Sequence, residues 1–358
     1  MKKYISLTAL CYVVAVAGIF AIVNACNKSK PTTETTLITN GTAAKIAATP
    51  LRQGEPQTKV VSVLGINTMP DGKTVRVMFR ELEEVFTVND PTVLSGLQTA
   101  LNGNKTIKIT FDPWKATVNQ INPISDEERM VHDSRQIISS PGSSQRVDLA
   151  SMSEDVINNM PAAAILNTVK TGLTDVIPDM ATAQLMFDYI THQCCALPGP
   201  YGIDQCISFQ YCEDGCYARA HKMCFILNNK YHYATHKVFS FAYPDGPNSL
   251  CVKGEKWGGC CINWWYHVAP LVNIKTPTGT KAYVFDPAMF DQPVLLATWL
   301  HAQQNPACAS GAIPKVTSIN IQPTASYSPI DTAHFDTDPT YSMTNSTLVS
   351  YAPLTTCP

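Results

Sequence analysis

The sequence predicts an α+β protein built as two folded units, a small one without cysteine followed by a disulfide-rich one. Three observations predict it. Cysteine is partitioned: after Cys26 none occurs until Cys194, and eleven follow. β-rich runs and amphipathic helical runs are mixed within each half, so neither half reads as all-α or all-β. A hydrophobic fraction of 45% over 358 residues can bury a real core, which a disordered chain cannot. Lys and Arg number 26 against 28 Asp and Glu, a net charge of −2, and this excludes a nucleic-acid partner held by basic charge. Only 15% of residues are charged while 13 are Cys and 25 are Pro, a composition that points to an oxidising compartment.

The elements follow in chain order. Lys2 and Lys3 precede an apolar run from Ile5 to Val23, which ends in Val23-Asn24-Ala25-Cys26. Residues 1–25 read as a signal peptide. Its end resembles a bacterial lipobox, so Cys26 is a lipidation candidate. Simple cleavage after Ala25 and an uncleaved anchor are the alternatives. Each places the remainder outside the cytoplasm, with membrane contact only through signal or lipid. Residues 26–58, rich in Thr, Ala, Lys and Pro, read as a flexible tether.

Residues 59–132 read as a small α+β unit. Val60–Ile66 and Thr74–Phe79 are strand-like and flank Pro70-Asp71-Gly72-Lys73, a turn signal. Glu84–Val88 is a third strand. Asp90 is an N-cap before Pro91, with Val93, Leu94, Leu97 and Leu101 on one helix face and Gly103 at its end. Thr106–Phe111 is a further strand. Residues 133–170 carry little pattern and read as a linker in which an activating protease cuts, with the neighbourhood of Lys170 as a candidate position. This makes 59–132 a propeptide domain. A permanent two-domain protein is the alternative.

Residues 171–358 form the second unit. Asp179 caps a helix over Met180–His192 whose Ala183, Met186, Phe187 and Ile190 share a face. Another helix starts near Cys216. Strands are expected at Lys237–Tyr243, Trp264–Ile274 and Lys281–Phe285, and a last helix at Val294–Gln303. The tail beyond Pro306 reads as irregular structure tied down by Cys308 and Cys357.

Eleven cysteines leave one over after five disulfides. Context singles out Cys216: it follows the Asp214-Gly215 turn at a helix start, where free amides and the dipole favour a thiolate and can hold an oxyanion. His267, in Trp264-Trp265-Tyr266-His267-Val268-Ala269, is a candidate base, and Asp286, at a strand end before Pro287, its orienting group. A Cys at a helix start with His and Asp on successive strands is the arrangement of papain-like and transglutaminase-like enzymes. Taken singly, the three also fit a half-cystine, a buried core histidine and an Asp-Pro turn.

The runs Asp214-Gly215-Cys216-Tyr217-Ala218-Arg219-Ala220-His221-Lys222-Met223, Cys260-Cys261-Ile262-Asn263-Trp264-Trp265-Tyr266-His267-Val268-Ala269 and Asp286-Pro287-Ala288-Met289-Phe290 resemble bacterial protein-glutaminase. The similarity runs from about Val176 to Phe290, and Lys73–Phe111 weakly resembles that family's propeptide. The resemblance implies a transglutaminase/papain-like core, a secreted preproprotein and a Cys216-His267-Asp286 triad. The reaction it implies converts protein-bound glutamine to glutamate and ammonia through a thioester. Partners are then proteins or peptides with accessible glutamine, the chain's own propeptide as inhibitor, and the activating protease.

Several features depart from the family. Cys212 and Cys224 flank the nucleophile and are candidates for an extra disulfide with each other. Tyr231–Gly259 matches poorly, and Pro270 interrupts a motif strand. Trp264, Trp265 and Tyr217 are substrate-cleft candidates, with core packing as their plainer reading. His221, five residues after Cys216, is rotated off its face and is assigned no catalytic role. A transglutaminase, a cysteine peptidase on the same scaffold and a non-catalytic surface-binding lipoprotein are the rivals. A zinc site at Cys260, Cys261 and His267 is disfavoured because the Cys-x-x-Cys spacing is absent. No phosphate or dinucleotide motif occurs, so no cofactor is expected.

Overall fold

A computed structural model describes residues 35–39, 42–46, 55–133, 137–139, 145–148, 156–157, 172–192, 207–242, 248–309, 311–352, 354, 356 and 357. The signal segment and Cys26 lie outside these residues, as do Cys194, Cys195 and Cys206. Within the stretch expected to be a tether, β1 (Thr35–Thr39) and β2 (Thr42–Ile46) pair as an antiparallel hairpin. Asn40-Gly41 between them is a strong hairpin signal that the composition of the surrounding residues hides.

From residue 49 onward the chain forms one compact unit. Strands β3 (Gln57–Thr68), β4 (Val75–Phe79) and β5 (Val85–Val88) come first, then helix α1 (Pro91–Asn102). β6 (Thr106–Asp112) and β7 (Thr117–Asn122) complete a closed barrel in the order β3-β4-β5-β7-β6. The β3–β4 turn forms because Asp71 Oδ1 accepts from the backbone N–H of Lys73 and Thr74 at 2.9 and 2.8 Å. Asp90 caps α1, accepting from Thr92 N–H at 2.7 Å, and Pro91 loses nothing at a position without an intrahelical bond. Val93, Leu97 and Ala100 turn inward onto Val61, Phe79, Phe86 and Phe111. The sequence reading missed β7 and the short helix α2 (Asp126–Asp133), which is mostly polar, leaves Met130 and Val131 exposed and buries none of its residues.

The stretch expected to be a linker supplies β8 (Ile137–Ser139) and β9 (Gln145–Asp148). Next come β10 (Val176–Ile177) and α3 (Met180–Thr191), the latter capped by Asp179 and burying the four predicted residues. Helix α4 spans Cys216–Asn229. β11 (His236–Phe241), β12 (Asn248–Lys253), β13 (Cys261–Trp264), β14 (Tyr266–Thr276), β15 (Gly279–Val284) and β16 (Val294–Leu295) follow, with α5 at Leu296–Ala302. The single strand expected at 264–274 is therefore two, broken at Trp265.

The tail is more regular than expected. It forms β17 (Ile313–Pro314), β18 (Ser318–Pro323), β19 (Ser326–Pro329), β20 (His334–Thr337) and α6 (Ser342–Tyr351). β18 is no appendage. The main sheet runs β16-β15-β14-β11-β18-β9, with β10 parallel on β14, so the tail strand lies beside β11. Its Ile319 and Ile321 are buried, which the Ser, Thr and Pro around them obscured. β8 completes the β19-β20-β8 sheet. Disulfides Cys260–Cys357 and Cys261–Cys308 anchor the tail, as expected.

Cys212 and Cys224 are both free and buried, which corrects the disulfide expected between them. Cys224 lies eight residues along α4 from Cys216, about 12 Å at helical rise, while Cys212 precedes the helix. A disulfide needs Cα atoms within about 7 Å.

Candidate active site

Gly215 starts the site. Its φ of +90° turns the chain into α4, and a Cβ there would stand 2.8 Å from Tyr351 Cδ2. Gly215→Ala is expected to cost about 2 kcal/mol from the backbone conformation and the clash together. A urea midpoint unchanged from the parent chain would contradict that. The sharp entry makes Cys216 the first residue of α4, with its backbone N–H free of any intrahelical partner.

β14 carries His267 opposite Ser240 of β11, and Asp286 lies two residues beyond the end of β15. The two strands are neighbours, and His267 Nε2 meets Asp286 Oδ2 at 2.8 Å. Asp286 Oδ2 also accepts from Trp299 Nε1–H at 2.8 Å. The imidazole stacks on Trp264, with centroids 4.3 Å apart, and on Trp299 at 5.5 Å. Cys216, His267 and Asp286 are each at most 3% exposed. The three residues singled out from sequence are thus brought to one place.

A fourth group, not anticipated, lies between them. Glu83, from the β4–β5 connection, accepts through Oε2 from Cys216 N–H at 3.0 Å and meets His267 Nδ1 through Oε1 at 2.7 Å. Its main chain is held as firmly. Glu83 N–H donates to Asp214 Oδ1 at 2.9 Å, and Trp265 N–H donates to the Glu83 carbonyl at 3.1 Å. Trp265 Nε1–H donates to the Leu82 carbonyl at 2.7 Å, and Glu84 bridges antiparallel to Trp264. Residues 82–84 therefore lie alongside Trp264–Trp265, with Glu84 in an isolated antiparallel bridge. The break between β13 and β14 falls at Trp265 because its N–H is spent on Glu83.

The electrostatics follow from burial and these contacts. Burial alone would lower His267, but Asp286 and Glu83 outweigh it and hold the imidazole up at about 9. Burial would raise Asp286, and His267 and Trp299 bring it below the usual carboxylate value. Burial raises Glu83 despite its bonds to His267. The Cys216 thiol is pushed well up, first by burial and then by the Glu83 carboxylate. With Glu83 in place the imidazole is hydrogen-bonded to two carboxyl groups, and burial together with Glu83 favours the protonated thiol.

The cleft candidates are placed as follows. Trp264 forms one face under the imidazole, and Trp265 grips residues 82 and 83. Tyr217 Oη donates to Asp214 Oδ2 at 3.3 Å and meets Lys59 Nζ. His221 faces Lys237 Nζ at 2.7 Å, and its bonds do not include Cys216, His267 or Asp286. Cys260 and Cys261 are tied up in disulfides and offer no zinc ligands. Among the described residues, Glu83, Cys216 and His267 bring metal-ligand atoms within 4.8 Å of one another. The imidazole Nδ1 there is already bonded to Glu83. Sequence reasoning missed Glu83, Asp214 and Trp299. The signals available were the acidic run Glu81-Leu82-Glu83-Glu84 in a chain of low charge, and a lone Trp in a short helix.

Comparison with known proteins bears on this geometry. A family model described as glutaminase matches residues 183–303. A solved structure of pro-protein-glutaminase is 24% identical, covers 86% of this chain and 95% of its own, and superposes with a TM-score of 0.58. A crystal structure of protein-glutaminase is 32% identical over 52% of this chain and 93% of its own, with a TM-score of 0.43. The solution structure of protein-glutaminase from Chryseobacterium proteolyticum is 34% identical over the same shares, also at 0.43. No curated protein matches the chain in sequence.

Proposed function

The chain belongs to the protein-glutaminase family, and from that premise we propose how its residues act. It is a protein-glutamine deamidase. Cys216 is the nucleophile, His267 the acid-base and Asp286 the group that orients it. A helix-start cysteine with His and Asp on neighbouring strands supports reading the core as transglutaminase/papain-like. One observation carries the reading: a glutamate side chain, the chemical product of the reaction, fits the space between Cys216 N–H and His267 Nδ1.

The roles follow from that fit. With a substrate glutamine in place of Glu83, Cys216 gives its proton to His267 Nδ1 and Sγ attacks the amide carbon. The carbonyl oxygen takes the place of Glu83 Oε2, where Cys216 N–H at the start of α4 stabilises it. His267 returns the proton to the amide nitrogen, the C–N bond breaks and ammonia leaves a thioester. Water then gives a proton to His267 and its oxygen attacks the thioester carbon. The C–S bond breaks, releasing glutamate and the thiol. Asp286, accepting from Nε2–H, keeps Nδ1 toward the sulfur throughout.

The barrel unit acts as an intramolecular inhibitor, since Glu83 blocks the attack position and keeps the thiol protonated. Cleavage in the 133–170 stretch followed by loss of that unit activates the enzyme. The segment before Cys26 supports export, with lipidation at Cys26 tethering the precursor. No described helix is long and apolar enough to cross a membrane.

The test is ammonia release from an unfolded protein by the proteolytically activated chain, with Cys216→Ala beside it. Ammonia from protein but not from free glutamine, absent in the variant and without cross-links, is the expected result. Cross-linked product with a lysine-rich acceptor would establish a transglutaminase, and cut backbone a peptidase.

A further inference from the structure

Glu84 follows the residue that fills the catalytic pocket, and its surroundings carry the wrong charge for it. It is 5% exposed, and its Oε2 is buried without a hydrogen-bond partner. The antiparallel bridge to Trp264 fixes its backbone beside the site. Around it lie Glu213 and Asp214 of the catalytic unit, with Glu83 and Asp112 of the barrel unit, and all four push its carboxyl well up once burial has done so. Neither nearby cation is bonded to Glu84. Arg219 Nη1 donates to the carbonyls of Tyr211 and Asp214 while its Nη2 is buried without a hydrogen-bond partner, and Lys59 pairs with Asp214 at 3.4 Å. Glu213 is itself buried, accepts from Thr356 Oγ1 at 2.8 Å, and is pushed up to about 7 by that burial.

Loss of the barrel unit removes Glu84, Asp112 and Lys59 together. What remains beside the cleft is the acidic pair Glu213 and Asp214, hydrogen-bonded to Thr356 and Tyr351 and with Arg219 as its neighbouring cation, but with no barrel-unit cation upon it. The main-chain bonds from Asp214, Trp265 N–H and Trp265 Nε1–H fix the direction of any strand that replaces residues 82–84. The residue after the target glutamine must therefore lie where Glu84 lies.

We propose that Glu213 and Asp214 form a specificity subsite that selects a cationic side chain, lysine or arginine, at the residue immediately following the target glutamine. This rests on the deamidase reading above. A cation there gains charge-assisted hydrogen bonds in a site screened from water, while a carboxylate repeats the unpartnered state of Glu84. The substrate class is an extended peptide segment with an acyl group before the glutamine and a basic residue after it.

Two measurements test the proposal. The first uses proteolytically activated chain and the peptides acetyl-Ala-Leu-Gln-X-Ala-amide, with X as Lys, Leu or Glu. The expected order of kcat/KM is Lys above Leu above Glu, with about tenfold or more between the extremes. Glu213→Gln is expected to shrink the Lys-to-Glu ratio at least about fivefold within that variant. Equal rates, a preference for Glu, or a ratio untouched by Glu213→Gln would overturn the subsite. The second measurement needs no activity: Glu84→Lys in the full-length chain. A basic side chain facing Glu213 and Asp214 is expected to raise the thermal midpoint by about 3 °C. A lowered or unchanged midpoint would count against the subsite. Peptides that all stay intact beside a stabilised Glu84→Lys chain would instead remove the deamidase reading and leave the cation-selecting pocket standing.

Discussion

Glu83→Gln in the full-length chain is expected to yield glutamate again at position 83. The substitution replaces one carboxyl oxygen by an amide nitrogen and leaves the carbon where Cys216 Sγ attacks. One side-chain oxygen position receives Cys216 N–H at 3.0 Å, and the other atom faces His267 Nδ1 at 2.7 Å, where a leaving nitrogen takes its proton. The bonds from Asp214 and Trp265 involve only the main chain at 83, so they survive the change. The chain thus becomes its own substrate for a single turnover, after which the product again blocks the site. Peptide mass spectrometry reads the event as a gain of about 1 Da at residue 83. A Glu83→Gln, Cys216→Ala double variant is the control and must keep its glutamine. Persistence of glutamine at 83 in a folded chain with intact Cys216 would mean that the observed contacts are not a reaction geometry.

Asp286→Asn carries the second large effect, a loss of about 10⁴-fold in kcat/KM. Asp286 takes hydrogen bonds from His267 Nε2 and Trp299 Nε1 on one oxygen. An asparagine amide that turns its NH₂ toward His267 forces Nε2 to accept. The ring proton then moves to Nδ1, the nitrogen facing Cys216, which can no longer act as base. Trp264 and Trp299 still hold the ring in place, so substrate binding is expected to change little and the loss to fall on kcat. Alkylation of Cys216 in the activated variant should slow in parallel. An effect confined to KM would assign Asp286 a structural role instead.

The parts of this fold that were legible in the sequence are those set by local chemistry. Asp90 before Pro91, Asp179 before an amphipathic run, and Gly215 before Cys216 each mark a helix start, and each helix begins there. The three residues of the proposed triad stood out because a thiol at a helix start and a His beside paired tryptophans are unusual company. What was hidden depends on distant partners. Nothing within Ser318–Pro323 announces that β18 lies beside β11, since its neighbours in sequence are polar and its partner is some 80 residues away. Glu83 is a surface-type residue whose burial follows only from docking against Trp265. Cys212 and Cys224 looked like a pair until α4 separated them.

β8 and β9 lie within the 133–170 stretch proposed to hold the activating cut, and they are hydrogen-bonded to β20 and β18. A cut beyond both strands would strip β20 and β18 of these partners and leave two rows of backbone N–H and C=O groups facing solvent. Such bare edges recruit any extended chain that reaches them. Maturation by such a cut would therefore produce a stickier particle as well as a working one.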